Sequence, residues 1–325
     1  MNPVLTAATI AWAPSDLRPP WVWAETHYTV PVSSMPGKWR SSNSPWVKKL
    51  MEDFADNSVR QITVLCAAQS AKTETLLALL CWVIAQDPSP TMWVTSSDEE
   101  ALKFCNERLM PALRLCPPVA KQIPDSRTLS KSLEILFSTM MLECVGANSK
   151  PKLQSRSRRF LFLDEVRNWP DWALPMVMKR SRTWWNSRVT IATTPEIEND
   201  TVHRQFLEGS QCRYHVPCQN LACGVKTEFD FQNLKAEDPE THLCVKWSEV
   251  PGARDGDKKW DVEKLAPHIR YVCPVCGHMH KDNPRVRRPE PPLSPLAGQK
   301  RSVVDKESPT GRPGVSQVPD CEVFL

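Results

Sequence analysis

Residues 61–74, Gln-Ile-Thr-Val-Leu-Cys-Ala-Ala-Gln-Ser-Ala-Lys-Thr-Glu, decide how this chain is read. An apolar, β-branched run at 62–65 meets small residues and then Lys72-Thr73. Beyond them Leu76, Leu77, Leu79, Leu80, Val83 and Ile84 recur at helical spacing. The pattern predicts strand, tight loop and helix, with Lys72 and Thr73 at the helix start. Free N–H groups and the positive end of the helix dipole favour a phosphate there. A lysine at that place reaches the β/γ oxygens of a triphosphate, and a following hydroxyl holds Mg²⁺. Against G-x-x-x-x-G-K-[ST], the loop has Cys66 at the first glycine and Ala71 at the second. The plain alternative is an ordinary strand-to-helix turn with a surface lysine.

Downstream, 91–95 reads as a second strand, and Asp98-Glu99-Glu100 opens a helix. The segments 133–137 and 140–145 read as a hairpin pair. Residues 160–163 (Phe-Leu-Phe-Leu) make a buried strand that ends in Asp164-Glu165. Ligands of open α/β sheets bind at that end of a strand. Asp164 would bind Mg²⁺ and Glu165 would polarise an attacking water; alternatively the pair only caps the next helix. A further strand at 188–192 runs into Thr193-Thr194-Pro195, whose hydroxyls would sense a γ-phosphate or merely mark a strand exit. Between these lies 150–159, where Lys150, Lys152, Arg156, Arg158 and Arg159 form either a solvated loop or one facing an anion or DNA. Strands and helices alternating at this spacing predict an α/β domain with a mainly parallel sheet over 46–216.

Upstream, 1–45 is rich in Pro and Trp and has little periodicity, which predicts an extended arm laid over the body by its aromatics. Ser44-Pro45 then starts a helix, with Pro at its first position. The whole chain carries 41 Lys+Arg against 37 Asp+Glu. That balance permits a nucleic-acid partner without arguing for one. No basic segment leads into an apolar stretch at the N-terminus, and no run approaches the ~18 apolar residues of a membrane span. Most of the twelve cysteines, among them Cys66, Cys81 and Cys105, sit in apolar periodic runs. This suits buried thiols in a reducing, intracellular setting.

Two cysteine pairs stand apart in 217–281. Cys218 and Cys223 precede Gly224, and Cys273 and Cys276 precede Gly277. A glycine after the second cysteine lets the backbone turn so that N–H groups face the sulfurs. Four such thiolates form a closed structural Zn²⁺ site. Unpaired cysteines and disulfides are the alternatives, and His278 and His280 are possible substitute ligands. From Asp282 the chain loses its apolar periodicity and gains prolines, so 282–325 reads as disordered.

Several stretches together resemble one family, the large terminase subunit of tailed phages in its lambda-like branch. They are Pro36 to Arg40, Ser44-Pro45-Trp46, Gln69 to Glu74, Gly146 to Ser149, Leu153 to Arg159, Leu161 to Val166, Arg180 to Arg182, Thr193-Thr194-Pro195 and Val216-Pro217-Cys218. The match runs over about residues 15–288. The resemblance implies a RecA-like P-loop ATPase followed by a small zinc-ribbon-like segment and a tail. ATP and Mg²⁺ would sit on Gln69, Ser70, Ala71, Lys72 and Thr73, with Asp164 and Glu165 completing the site and Thr193 and Thr194 coupling hydrolysis to movement. Arg156, Arg158 and Arg159 would touch DNA or a neighbouring subunit's phosphate, and Arg180 or Arg182 would act in trans. Implied partners are double-stranded DNA, the small terminase subunit, the capsid portal and further copies of the chain, in the host cytoplasm. The family's nuclease domain is expected to be missing. The competing expectation is an inactive terminase remnant that only binds and assembles.

Overall fold

The computed structural model describes residues 16, 18–33, 35–123, 133–154, 156–195, 198, 200–254, 259–280 and 321–324. They form two compact units, one running to Cys212 and including 321–324, the other starting at Arg213.

The first unit is built on an eight-stranded sheet. Its strands are Gln61–Leu65 (β1), Thr91–Thr95 (β2), Glu134–Leu136 (β3), Met141–Gly146 (β4), Phe160–Asp164 (β5), Arg188–Thr193 (β6), Cys212–Arg213 (β7) and Cys321–Phe324 (β8). The order across the sheet is β3-β4-β2-β5-β6-β1-β8-β7. β3 pairs antiparallel with β4, as the hairpin pattern predicted. From β4 through β8 every neighbouring pair is parallel. The mainly parallel α/β reading therefore holds.

Alternation along β5 explains the layering. Phe160 and Phe162 point to one face, where Phe54 stacks on both at 5.6 Å, Phe162 lies 5.6 Å from Trp93, and Trp93 lies 4.6 Å from Phe104. Leu161 and Leu163 point to the other, into a cluster with Met92, Val94, Ile191, Trp169 and Phe206. Both faces are covered, which is why these strands read as continuous apolar runs.

The helix Lys72–Gln86 buries Leu76, Leu77, Leu79, Leu80, Val83 and Ile84 completely or nearly so. It packs beneath Pro20–His27 and against Pro117–Ala120. The predicted extended arm is thus corrected where it is described. Residues 20–27 are helical, with Pro20 at the first helical position, and Thr29–Val30 pairs with Gly37–Lys38. The aromatics do anchor it, since Trp23, Tyr28 and Trp39 are buried. Residues 1–15 lie outside the described residues, as do 281–320 of the predicted disordered tail. Its end is a correction: Cys321–Phe324 pairs in parallel with β1 from Ile62 to Leu65. An uncovered strand edge offers a row of backbone donors and acceptors, and those four residues take it.

The second unit holds a four-stranded antiparallel sheet, Cys244–Val245, Leu234–Glu237, Ile269–Val272 and Met279–His280 in that order, and a two-stranded ribbon, Val216–Pro217 with Lys226–Thr227. Among the described residues no helix is long and apolar enough to cross a membrane.

Candidate nucleotide site and the four-cysteine cluster

Register places the predicted residues at one level. Leu65 lies opposite Thr193, and Ala192 lies opposite Asp164. The loop after β1 and the acids after β5 therefore flank the end of β6, two strand spacings of ~4.8 Å apart. The Cys66 N–H donates to Thr193 O at 3.2 Å, and the Glu165 N–H donates to Ala192 O at 2.8 Å. Across this floor the Thr73 hydroxyl reaches Asp164 Oδ2 at 3.0 Å. Lys72, 6% exposed, donates from Nζ to Ala67 O at 3.0 Å, Cys66 O at 3.3 Å and Thr194 Oγ1 at 2.9 Å. Lys72, Thr73, Asp164, Glu165, Thr193 and Thr194 line one crevice at the carboxyl ends of the parallel strands.

The loop backbone is strained at Ala71, the place the motif would give to its second glycine, and at Gln69 within the loop. Ala71 has φ 69° and ψ 20°, directly before the helix, and Gln69 has φ 60°. Glu165 is also left-handed, at φ 50°. Three of the five described non-glycine residues with positive φ thus border this crevice, and strain of this kind gathers at ligand sites. Ser70 donates to Ala67 O at 2.7 Å and to Cys66 Sγ at 3.1 Å, closing the loop on itself. Burial pushes the Cys66 thiol up to about 11, so it packs as a neutral group.

Asp164 titrates above the ordinary carboxylate range. Burial raises it from 3.8 to about 6, against the pull of the Thr73 hydroxyl. Its Oδ1 is buried with no hydrogen-bond partner. A carboxylate taken out of water with one oxygen unmatched suits a hard divalent cation, and a neighbouring hydroxyl completes an oxygen donor set for Mg²⁺.

Some neighbours carried no sequence signal. The Trp169 indole donates to Asp164 O at 3.2 Å. The Arg167 N–H donates to Thr193 Oγ1 at 3.1 Å, while its Nε lies 3.6 Å from Glu165 Oε2. Conversely, two of the arginines read as facing DNA or phosphate do not. Arg158 is 1% exposed and paired with Glu143. Arg159 grips Asp87 through two 2.6 Å bonds and adds Ser89 at 2.9 Å. They neutralise carboxylates at the lower edge of the sheet. Arg156 is the exposed member, 3.7 Å from Glu134. Arg180 lies at that lower edge too: its O accepts the Arg158 N–H, and its Nη1 donates to Gln154 O at 2.7 Å. It is about 16 Å, the length of a five-residue strand, from its own crevice.

In the second unit the Sγ atoms of Cys218, Cys223, Cys273 and Cys276 all lie within 4.8 Å of one another. Cys218 and Cys276 are 3.7 Å apart and not bonded. Tetrahedral Zn²⁺ with Zn–S near 2.3 Å needs sulfurs ~3.8 Å apart. Gly224 and Gly277 turn at φ 58° and 70°. Backbone N–H groups of Cys276 and Val275 hold the Cys273 thiol down to about 7, and burial pushes Cys218 up to about 12. Four soft donors with N–H groups aimed at the sulfurs fit Zn²⁺. His278 and His280 are not in the cluster; His280 is buried, 5.4 Å from the Tyr271 ring.

Fold and crevice together define a parallel-sheet α/β protein with a lysine–hydroxyl loop facing an acidic strand end. Residues 33–290 match the family of the phage terminase large subunit gpA, ATPase domain. The chain belongs to that family. A comparison with curated protein sequences gives no match. Among solved structures, the chain is similar to the HK97 bacteriophage large terminase at 15% identity and a TM-score of 0.46, over 58% of this chain and 40% of that one. It is also similar to the Thermus phage P74-26 large terminase ATPase domain, at 13% identity and a TM-score of 0.37, over 52% and 72%. At such scores the assignment rests on the sequence match.

Proposed function

We propose that this chain is the ATP-hydrolysing part of a viral DNA-packaging motor, working at the crevice between Lys72-Thr73 and Asp164-Glu165. The observation that carries the reading is the 3.0 Å bond from Thr73 to a buried Asp164 whose other oxygen has no partner. Thr73 and Asp164 would hold Mg²⁺, which when bound neutralises charge shared by the β- and γ-phosphates. Lys72 would exchange its loop carbonyls and Thr194 for phosphate oxygens. Glu165 would orient and deprotonate the attacking water. Thr193, bonded to the Arg167 N–H, links the end of β6 to the Glu165 turn, a route by which hydrolysis would move the chain. Gln69, Ser70 and Ala71 would line the phosphate loop. By family membership the partners would be double-stranded DNA, the small terminase subunit, the portal and further copies of the chain in the host cytoplasm, with an arginine such as Arg182 supplied in trans. The four cysteines would hold a structural Zn²⁺.

Mg²⁺-dependent ATP hydrolysis tests this. Lys72→Ala and Glu165→Gln are each expected to lower kcat by 10²-fold or more, as loss of a transition-state charge contact does elsewhere. A second reading, an inactive binding remnant, is favoured by the strained Ala71. It predicts no turnover from a folded chain.

A further inference from the structure

Besides Lys72 and Arg167, a third cation, Arg108, stands beside the start of the loop helix, and the family motifs do not mark it. Residues 98–115 form one continuous helical rod, Asp98–Phe104, then a π-helical turn Cys105–Leu109, then Met110–Leu115. Pro111 explains the wide turn. It has no N–H to give to residue 107, and its ring crowds that carbonyl. The ladder slips instead to the Met110 N–H donating to Cys105 O, five residues back. Such single turns often stand at functional sites. Here the turn keeps Cys105, Leu109, Ala112 and Leu113 buried and sends Arg108 toward the start of the helix Lys72–Gln86.

There Arg108 Nη2 lies 3.2 Å from Glu74 Oε2. Glu74 follows Thr73 directly, is 9% exposed, and its other oxygen accepts the Tyr28 hydroxyl at 2.5 Å. Glu74 is therefore well served by Tyr28 and by the helix N-terminus even without the arginine. Arg108, by contrast, has one ion pair among the described residues, and its side chain is 40% exposed.

We propose that Arg108 is a nucleotide-binding residue of this crevice: Glu74 holds it while the site is free, and it passes to a phosphate oxygen when ATP binds. The inference rests on the nucleotide reading of the site. It adds the group that senses phosphate from within the same chain, on an element that reading does not use. Transfer from one carboxylate to a polyanion keeps the guanidinium paired in both states, so the exchange is a small step in energy and a large one in position.

Binding of ATP, ADP and AMP to the full chain, with Mg²⁺ present and followed by calorimetry, tests it. Arg108→Ala is expected to weaken ATP by about tenfold to a hundredfold, the worth of one charged hydrogen bond, and AMP by much less. Arg108→Lys should recover part of the loss. Glu74→Gln, which frees the arginine, should leave ATP affinity equal or raised. If Arg108 only props the helix, Arg108→Ala and Glu74→Gln will lose affinity alike and for all three nucleotides. That result, or ATP affinity within twofold of the unaltered chain, overturns the proposal. Failure of the unaltered chain to bind ATP at all would instead sink the reading of the site itself. Melting temperatures measured without nucleotide show which variants remain folded, and Arg108→Lys carries the test should Arg108→Ala not.

Discussion

The first unit packs Phe54, Trp93, Phe104, Phe160 and Phe162 into one stack and a second apolar cluster beneath it. Among the described residues, the second unit buries only Cys218, Ala236, Ala253, Leu265, Tyr271 and Cys273 of its apolar side chains, while Leu221, Phe229, Phe231, Leu243 and Val275 stay exposed. A segment of that size with so little interior is marginal by burial alone. The contrast separates what each site costs its surroundings. In the first unit a core strong enough to spare some stability carries a strained loop and a buried charge. In the second, two of the four clustered cysteines, Cys218 and Cys273, make up a third of the few buried apolar residues.

The largest effect that would break this comparison comes from removing metal. The proposed Zn²⁺ would supply the bulk of the second unit's stability, on the order of 10 kcal/mol in comparable small zinc domains. A chelator should abolish amide protection across 213–280 and leave β1, β2, β5 and β6 protected in hydrogen exchange. Cys276→Ser should do the same without chelator. Equal protection in both units after chelation would show that the sulfurs are incidental.

A methyl group should do to the first unit what the chelator cannot. A Cβ on Gly146 would stand 2.1 Å from the Asp98 backbone nitrogen and 2.2 Å from Ser97 C. Neither atom can swing away, because Asp98 Oδ1 also accepts the Gly146 N–H at 3.0 Å. Gly146→Ala should cost about 3 kcal/mol, at the upper end of overpacking losses, read as a lower denaturant midpoint for the first unit alone. A change under 0.5 kcal/mol would mean that β4 and the Asp98 helix move apart freely.

The buried charge gives an effect of similar size and opposite sign. Asp164 titrates higher folded than unfolded, so the folded state holds its proton more tightly. Its contribution to stability is therefore present at low pH and lost as pH rises from about 4 through about 6. Without Mg²⁺, Asp164→Asn should stabilise the first unit at pH 8 by up to about 3 kcal/mol, and the gain should vanish near pH 4. Mg²⁺ should narrow the difference by favouring the charged aspartate. Thermal melts across pH check both. A destabilised Asn variant at pH 8 would count against a buried charge without a full set of partners.

How much of this was legible depends on where the cause lies along the chain. The 61–86 strand, loop and helix and the Asp164-Glu165 strand end follow from local periodicity, so sequence alone located them. The cysteine pairs were legible because each knuckle carries its own glycine. Arg158 and Arg159 were not, since their burial is decided by Glu143 and Asp87, 15 and 72 positions away. The helix at 20–27 was hidden because its partners, rather than its own spacing, fix it: Tyr28 reaches Glu74, 46 positions on. Arg108 was hidden twice over, by a π turn that breaks helical phase and by a carboxylate partner 34 positions back.

The smallest effect, at Ala71, sharpens the comparison most finely, because it separates strain from crowding. A left-handed alanine costs about 1 kcal/mol that glycine does not incur. Glycine gives part of this back through the greater freedom of the unfolded chain. Ala71→Gly should therefore stabilise the first unit by about 0.5 kcal/mol and leave the second unit's protection unchanged. If the Cβ also crowds a phosphate oxygen, ATP turnover should rise by more than stability can explain. If the strain instead holds Lys72 against its loop carbonyls in readiness, the glycine variant will be more stable yet bind ATP less tightly. Stability and affinity moving together would point to the first account, and moving apart to the second.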